Sequence, residues 1–242
     1  MREQNMRKRS VVILTAIIAG IFLRVPSGYG GLVIVQFTAE VTRVSDTYRV
    51  LEGKVNLGDL ITGVYIYDSS TPDSDPWAGA GRYEYYAPPA GITLTVGGFV
   101  FMTDPANVNF VIATADWGPE VPCQLVWCND AYHLESKNNL PLSNGVLVDS
   151  IVFGLIDDYI TALTSDALLA AAPILDDWET RLVQISGSVP PPPPRGTAKF
   201  FYISGDLTSA VLIPEPATLG LLGLGGLALL RNRRSVRGQR RR

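Results

Sequence analysis

The sequence predicts an all-β fold, an antiparallel β-sandwich of jelly-roll-like form, with an N-terminal signal peptide and a C-terminal short transmembrane helix. Three observations support this prediction. β-Branched and aromatic residues are concentrated in about ten short segments. Glycine and proline separate these segments. Charge-free apolar runs flanked by basic residues occur at the two ends of the chain.

Residues 1–30 are predicted to be a secretory signal peptide that signal peptidase would remove. Arg2, Arg7, Lys8 and Arg9 precede an uncharged apolar run at 11–23. A run of this length is shorter than the roughly 20 residues that a membrane-spanning helix needs. A buried core helix is the alternative, but the basic residues at the very start of the chain favour a signal peptide.

The body, residues 31–213, is predicted to consist mostly of strands. Their expected bounds are 32–44, 49–55, 60–67, 81–86, 91–96, 98–103, 107–113, 130–135, 145–153, 178–186 and 198–203, and residues 207–213 close the domain. Residues 155–172 are ambiguous, because Ser165 and Asp166 could cap a short helix that Pro173 would end. The prolines at 190–194 predict a stiff, extended loop.

The charge of the body excludes one large class of function. The whole chain has a formal net charge of −3, but residues 31–213 hold eight Lys or Arg against twenty-one Asp or Glu, a net charge of −13. Such an acidic body repels phosphate backbones, so no nucleic-acid partner is expected.

The last thirty residues have three parts in a fixed order. Pro214, Glu215 and Pro216 form a stiff element that excludes helix. Residues 217–230 are uncharged and rich in Leu and Gly, and residues 231–242 contain seven arginines. At 1.5 Å per residue the apolar segment reaches about 21 Å, less than the roughly 30 Å hydrocarbon core. We therefore expect a temporary membrane helix whose basic end stays in the cytoplasm.

These three parts resemble the PEP-CTERM sorting domain of Gram-negative bacteria that make extracellular polysaccharide. The resemblance implies export and processing by exosortase, a membrane-embedded cysteine protease. It assigns recognition to Pro214, Glu215 and Pro216, membrane insertion to 217–230, and stop-transfer to the tail at 231–242, which begins with Arg231, Arg233 and Arg234. The chain departs from the usual pattern in having Ile213, instead of Val, before the motif. An ordinary tail anchor is the alternative interpretation.

Two further features of the body are candidates for a disulfide and for a metal site. Cys123 and Cys128 could close a small disulfide loop in an oxidising compartment, or remain as two thiols. Asp68, Asp73 and Asp75 lie in an oxygen-rich loop that could bind Ca²⁺, although their order does not fit an EF-hand. No cofactor is expected.

The sequence leaves two functional hypotheses. The first is a non-enzymatic cell-surface or extracellular-matrix protein, since His133 is the only histidine and no G-x-S-x-G elbow is present. The second is an exported carbohydrate-binding module or weak glycan hydrolase, with exopolysaccharide as its ligand. This second hypothesis requires Tyr65, Tyr67, Trp77 and Tyr85 to form an exposed surface on which sugar rings stack; buried rings would instead be packing pairs.

Overall fold

The structure, a computed structural model, describes residues 31–116, 129–189 and 198–214. These residues form ten strands and one turn of 3-10 helix, Leu175–Asp177. The strands are β1 Leu32–Ser45, β2 Leu60–Asp68, β3 Ala80–Tyr85, β4 Gly91–Val96, β5 Phe99–Met102, β6 Phe110–Ala115, β7 Asp130–Ser136, β8 Leu147–Asp157, β9 Thr180–Val189 and β10 Lys199–Leu212. The all-β prediction is therefore confirmed for the described residues.

All ten strands belong to one continuous antiparallel sheet in the order β3-β6-β7-β8-β9-β10-β1-β2-β4-β5. The sheet curls so that one face encloses the core. The predicted antiparallel pairing is thus confirmed, but the strands are not divided between the two separate sheets of a sandwich. The pairing of β1 with β10, the two longest strands, shifts register at Thr38/Ala39 and at Val41/Arg43. Such irregularities bend and twist a strand, which lets a single sheet wrap around its own core.

Alternation along the strands places one side of each strand in the core. In β1, for example, Val33, Val35, Phe37 and Ala39 are buried along one face. The centre of the core is aromatic: the ring of Phe153 lies 5.4 Å from Phe37 and 5.1 Å from Tyr65 in edge-on contacts. Gly63 leaves the space that Phe37 occupies, since a Cβ at position 63 would lie 2.3 Å from Phe37 Cζ.

One local prediction was wrong, and the structure resolves the stretch that the sequence left ambiguous. Residues 49–55 are not a strand: they turn, with positive φ at Arg49 and Glu52, and both oxygens of Asp46 accept backbone N–H groups, from Val50 and Leu51. Apolar residues in this turn pack into the core. An alternating apolar pattern alone cannot distinguish such a turn from a strand. The helix considered within 155–172 is also absent; this stretch is irregular beyond the end of β8.

Three buried tyrosines differ in how their hydroxyl groups are satisfied. Tyr67 donates a hydrogen bond to the carbonyl of Leu169. The hydroxyls of Tyr65 and Tyr132 make no hydrogen bond of normal geometry among the described residues, although the hydroxyl of Tyr132 lies close to those of Tyr65 and Tyr67. Burial raises the pKa of Tyr67 to about 12 and raises the pKa values of Tyr65 and Tyr132 well above 10. All three groups are therefore neutral throughout the physiological range.

This difference predicts opposite outcomes for two equivalent substitutions. Tyr132→Phe removes a buried hydroxyl that makes no hydrogen bond of normal geometry among the described residues, so the free energy of unfolding should stay unchanged or rise by about 1 kcal/mol. Tyr67→Phe removes a hydrogen-bond donor, so the same quantity should fall by about 1 kcal/mol. Urea unfolding of both variants measures the two effects; an equal loss in both would contradict the assignment.

Candidate functional site: the C-terminal exit of the sheet

The chain leaves the sheet at the end of β10, immediately before the predicted sorting motif. The last part of β10 pairs with the first part of β1, through Val35↔Leu212 and Gln36↔Val211. One further hydrogen bond follows, from the Ile213 N–H to the Ile34 carbonyl at 2.8 Å. Pro214 has no N–H to donate and is exposed, so the ladder ends there.

The side chain of Ile213 is held on the outer face of the sheet. It packs against a small hydrophobic cluster separate from the main core, which we call the outer cluster: Leu32, Ile34, Val64 and Ile66. All four side chains are buried. The residue before the motif is therefore fixed both through its backbone and through its side chain.

β1 and β10 are neighbours at the centre of the sheet, so the two ends of the body lie side by side. Leu32 begins β1 and Leu212 ends β10, and adjacent strands in a sheet are about 4.8 Å apart. The segments predicted to be the signal peptide and the sorting signal thus leave the body at the same place.

Several predicted features fall outside the described residues. They are the signal peptide at 1–30, Cys123 and Cys128, the prolines at 190–194, Glu215 and Pro216, the apolar segment at 217–230, and the arginine-rich tail with Arg231, Arg233 and Arg234. Within 31–116, 129–189 and 198–214, no helix has the length and hydrophobicity needed to cross a membrane. The disulfide stays a prediction.

The predicted sugar-stacking surface is not formed, and this is a correction. Tyr65 and Tyr67 are completely buried and Tyr85 is nearly so, whereas the side chain of Trp77 is 72% exposed. Tyr65 and Tyr67 stack on each other with ring centroids 6.1 Å apart, and Tyr65 contacts Phe153. The alternation of aromatic and other residues in β2 therefore marks core packing, and Trp77 lies exposed in the loop before β3.

The three aspartates of the predicted calcium loop do not converge. Asp68 accepts hydrogen bonds from the N–H and hydroxyl of Ser70. Asp73 accepts the N–H groups of Asp75 and Arg82, and Asp75 accepts that of Trp77. Among the described residues, no three His, Cys, Asp or Glu side chains form a group that could hold a metal ion. The calcium loop is therefore not formed by these residues.

Two residues of this loop, Asp73 and Ser74, instead cover the edge of the sheet. β3 is an edge strand, and Arg82 at its centre directs its N–H and carbonyl away from β6. Asp73 accepts that N–H at 2.8 Å, and Ser74 donates both its N–H and its hydroxyl to that carbonyl. Covering an edge in this way blocks pairing with another chain.

A buried acidic pair, which the sequence patterns did not reveal, lies where β7 begins and β8 ends. Asp130 and Asp157 are cross-strand partners and both are buried. Asp157 accepts the N–H groups of Tyr159, Thr161 and Ala162, and Asp130 accepts that of Leu163. The signal that could have revealed the pair is an Asp at a strand end followed by a polar, Thr-containing loop, which is typical of Asx turns.

The two carboxyl groups have pKa values displaced in opposite directions. Burial raises the pKa of Asp130. Burial acts on Asp157 in the same direction, but the N–H groups of Thr161 and Tyr159, the Thr161 hydroxyl and a hydrogen bond with the Glu179 carboxyl outweigh it, and the pKa of Asp157 falls to about 2. Divergent pKa values can mark an acid–base pair. Here both side chains are buried and hold the loop that follows β8, which is a structural role.

An open acidic cavity of about 320 Å³ lies beside this loop. Its lining consists of Asp157, Thr161, Asp176, Asp177, Trp178 and Glu179. Asp176 pairs loosely with Arg181 at 3.6 Å, and Glu179 accepts the N–H of Asp158. The lining is thus a solvated acidic rim over a buried Trp178.

Comparisons with known proteins identify one part of the chain. No curated protein and no solved structure gives a significant match. Residues 212–234 match the family model of the PEP-CTERM protein-sorting motif. This segment starts at the last residue of β10 and contains Pro214, Glu215 and Pro216. The chain therefore carries a PEP-CTERM sorting signal, which indicates an exported protein that is processed by exosortase.

Proposed function

We propose that this protein is a non-enzymatic cell-surface or extracellular-matrix protein that exosortase releases. Export begins with a signal peptide at 1–30, and residues 217–230 then anchor the body temporarily in the inner membrane with the arginines in the cytoplasm. Processing at the motif passes the body from the periplasm to the outer surface or to an exopolysaccharide matrix.

One observation carries this proposal: the sorting signal follows the folded body without a gap. The family match begins at residue 212 and the last sheet hydrogen bond is made by Ile213. The folded body therefore ends directly at the sorting signal.

The use of polar groups in the body supports a non-enzymatic role. Asp157, Asp130 and Asp73 each accept backbone N–H groups that organise loops or cover an edge. Glu84 is engaged by Arg82 and by the hydroxyl of Tyr86, each at 2.7 Å. Asp157, Asp73 and Glu84 thus have structural partners, whereas Asp130 uses one oxygen in this way and its Oδ1 has no hydrogen-bond partner among the described residues. The carbohydrate-binding alternative loses its basis, since three of its four rings are buried.

Glu215→Gln tests the proposal at the motif. The substitution removes the only charge between β10 and the arginine tail while keeping the size of the side chain. We expect unprocessed, full-length protein to accumulate in the inner membrane, and the mature form to disappear from the outer surface and medium. Cell fractionation with immunoblotting measures both pools.

The matched control is Glu40→Gln, the same chemical change at an exposed position of β1. It should be processed like the wild type. Normal release of the Glu215→Gln protein would rule out recognition through this motif.

A further inference from the structure

We propose that the pairing of β1 with β10 sets the upstream limit of exosortase cleavage at Ile213, so that exosortase acts on a fully folded body. The inference rests on the sorting function proposed above. It adds where the cut can fall and in which state the substrate is presented.

The first step of the argument is the hydrogen bonding of β10. From Tyr202 to Asp206 the strand is paired on both sides, with β9 and with β1. From Leu207 to Leu212 it stays paired with β1, and the Ile213 N–H adds the final hydrogen bond to Ile34. Proteins that grip a peptide in extended form use the same backbone groups. A backbone already paired in the sheet is therefore not available to a protease.

The second step concerns the side chain at the boundary. Ile213 packs on the outer cluster, so freeing the residues just upstream of the motif would expose apolar surface as well as break hydrogen bonds. Both losses oppose peeling of β10 from β1. Ile213 is thus a positioning residue that fixes where the accessible chain begins.

The third step is the short distance that remains. Only residues 214–216 separate Ile213 from the apolar segment, and three residues of any conformation reach at most about 10 Å. The accessible bonds lie within this interval or beyond it. Exosortase must therefore accept the folded end of the sheet close to its catalytic centre. This end consists of the start of β1, the end of β10 and the outer cluster.

A disulfide that locks the end of β10 tests the inference in the full-length, exported protein. Gln36 and Val211 are direct cross-strand partners, and such pairs have Cα atoms about 4.5 to 5.5 Å apart, within the range that a disulfide bridges. The variant Gln36→Cys/Val211→Cys is compared with the wild type and with Val211→Cys alone. Mass spectrometry of the mature protein gives the C-terminal residue, and peptide mapping verifies the 36–211 disulfide.

We expect the same mature C-terminus, at Ile213 or later, and the same processed fraction in all three proteins. A mature C-terminus upstream of Ile213 would overturn the inference, and so would accumulation of the locked protein while both controls are processed. An intact, uncleaved wild type would instead overturn the sorting function itself, so the two failures are distinguishable.

Discussion

Phe153→Ala is expected to lower the free energy of unfolding by about 3 to 5 kcal/mol. The ring is completely buried and contacts three other rings, those of Phe37, Tyr65 and Tyr132. These rings come from β1, β2 and β7, so the cavity would open at the point where distant parts of the curled sheet meet. Because glycine already occupies position 63 next to Phe37, the surroundings have few side-chain atoms with which to refill the space.

Urea unfolding followed by the fluorescence of the buried Trp178 measures this loss, and the midpoint of thermal unfolding should fall by roughly 10 °C. Phe200→Ala is the matched control, since that side chain is 61% exposed and its loss should cost no more than about 0.5 kcal/mol. Similar losses in the two variants would contradict the position assigned to Phe153.

Asp157→Asn is expected to lower the free energy of unfolding at pH 7 by about 2 to 3 kcal/mol. The two carboxylate oxygens of Asp157 accept three backbone N–H groups and one hydroxyl. An amide replaces one acceptor oxygen by a donor, which leaves N–H groups of the following loop unpaired.

The effect should depend on pH with a defined sign. The pKa of Asp157 is about 2 in the folded protein and about 3.9 in an unfolded chain, so its contribution is present above pH 4 and is lost as the pH falls toward 2. The difference between wild type and Asp157→Asn should therefore shrink below about pH 4. Asp130 adds a smaller effect of opposite sign, because the charge of Asp157 helps to raise the pKa of Asp130 and this repulsion is removed in Asp157→Asn.

Asp158→Asn provides the control, because this neighbouring carboxylate is exposed. Its unfolding free energy should match that of the wild type over the same pH range. A constant wild-type advantage over Asp157→Asn down to pH 2 would show that the carboxylate charge is not what holds the loop.

Sequence patterns predicted those parts of the fold in which alternation and chain breaks agree. β2, β4 and β7 lie within about a residue or two of their expected bounds, since each combines alternating apolar residues with glycine or polar residues at its ends. The predicted strand 198–203 extends to residue 212 as β10, because Gly205 and Asp206 continue the pairing with β1 instead of ending it.

The sequence could not reveal which neighbour each strand pairs with. Partner choice depends on contacts between distant segments, such as Phe37 with Phe153, and no local pattern encodes them. The same limit explains the error over Tyr65 and Tyr67, because alternation tells that two rings share a face but not whether that face is covered. The motif at 214–216, in contrast, is read in linear order and was predicted directly.

The central position of β10 also governs when the body can become complete during synthesis. Without this strand the sheet consists of two separate parts, β1-β2-β4-β5 and β3-β6-β7-β8-β9, each with an unpaired edge that β10 later covers. β10 is the last of the described strands in chain order, and the sorting motif follows it directly. The two parts of the sheet can therefore be joined only after the segment next to the motif has been synthesised.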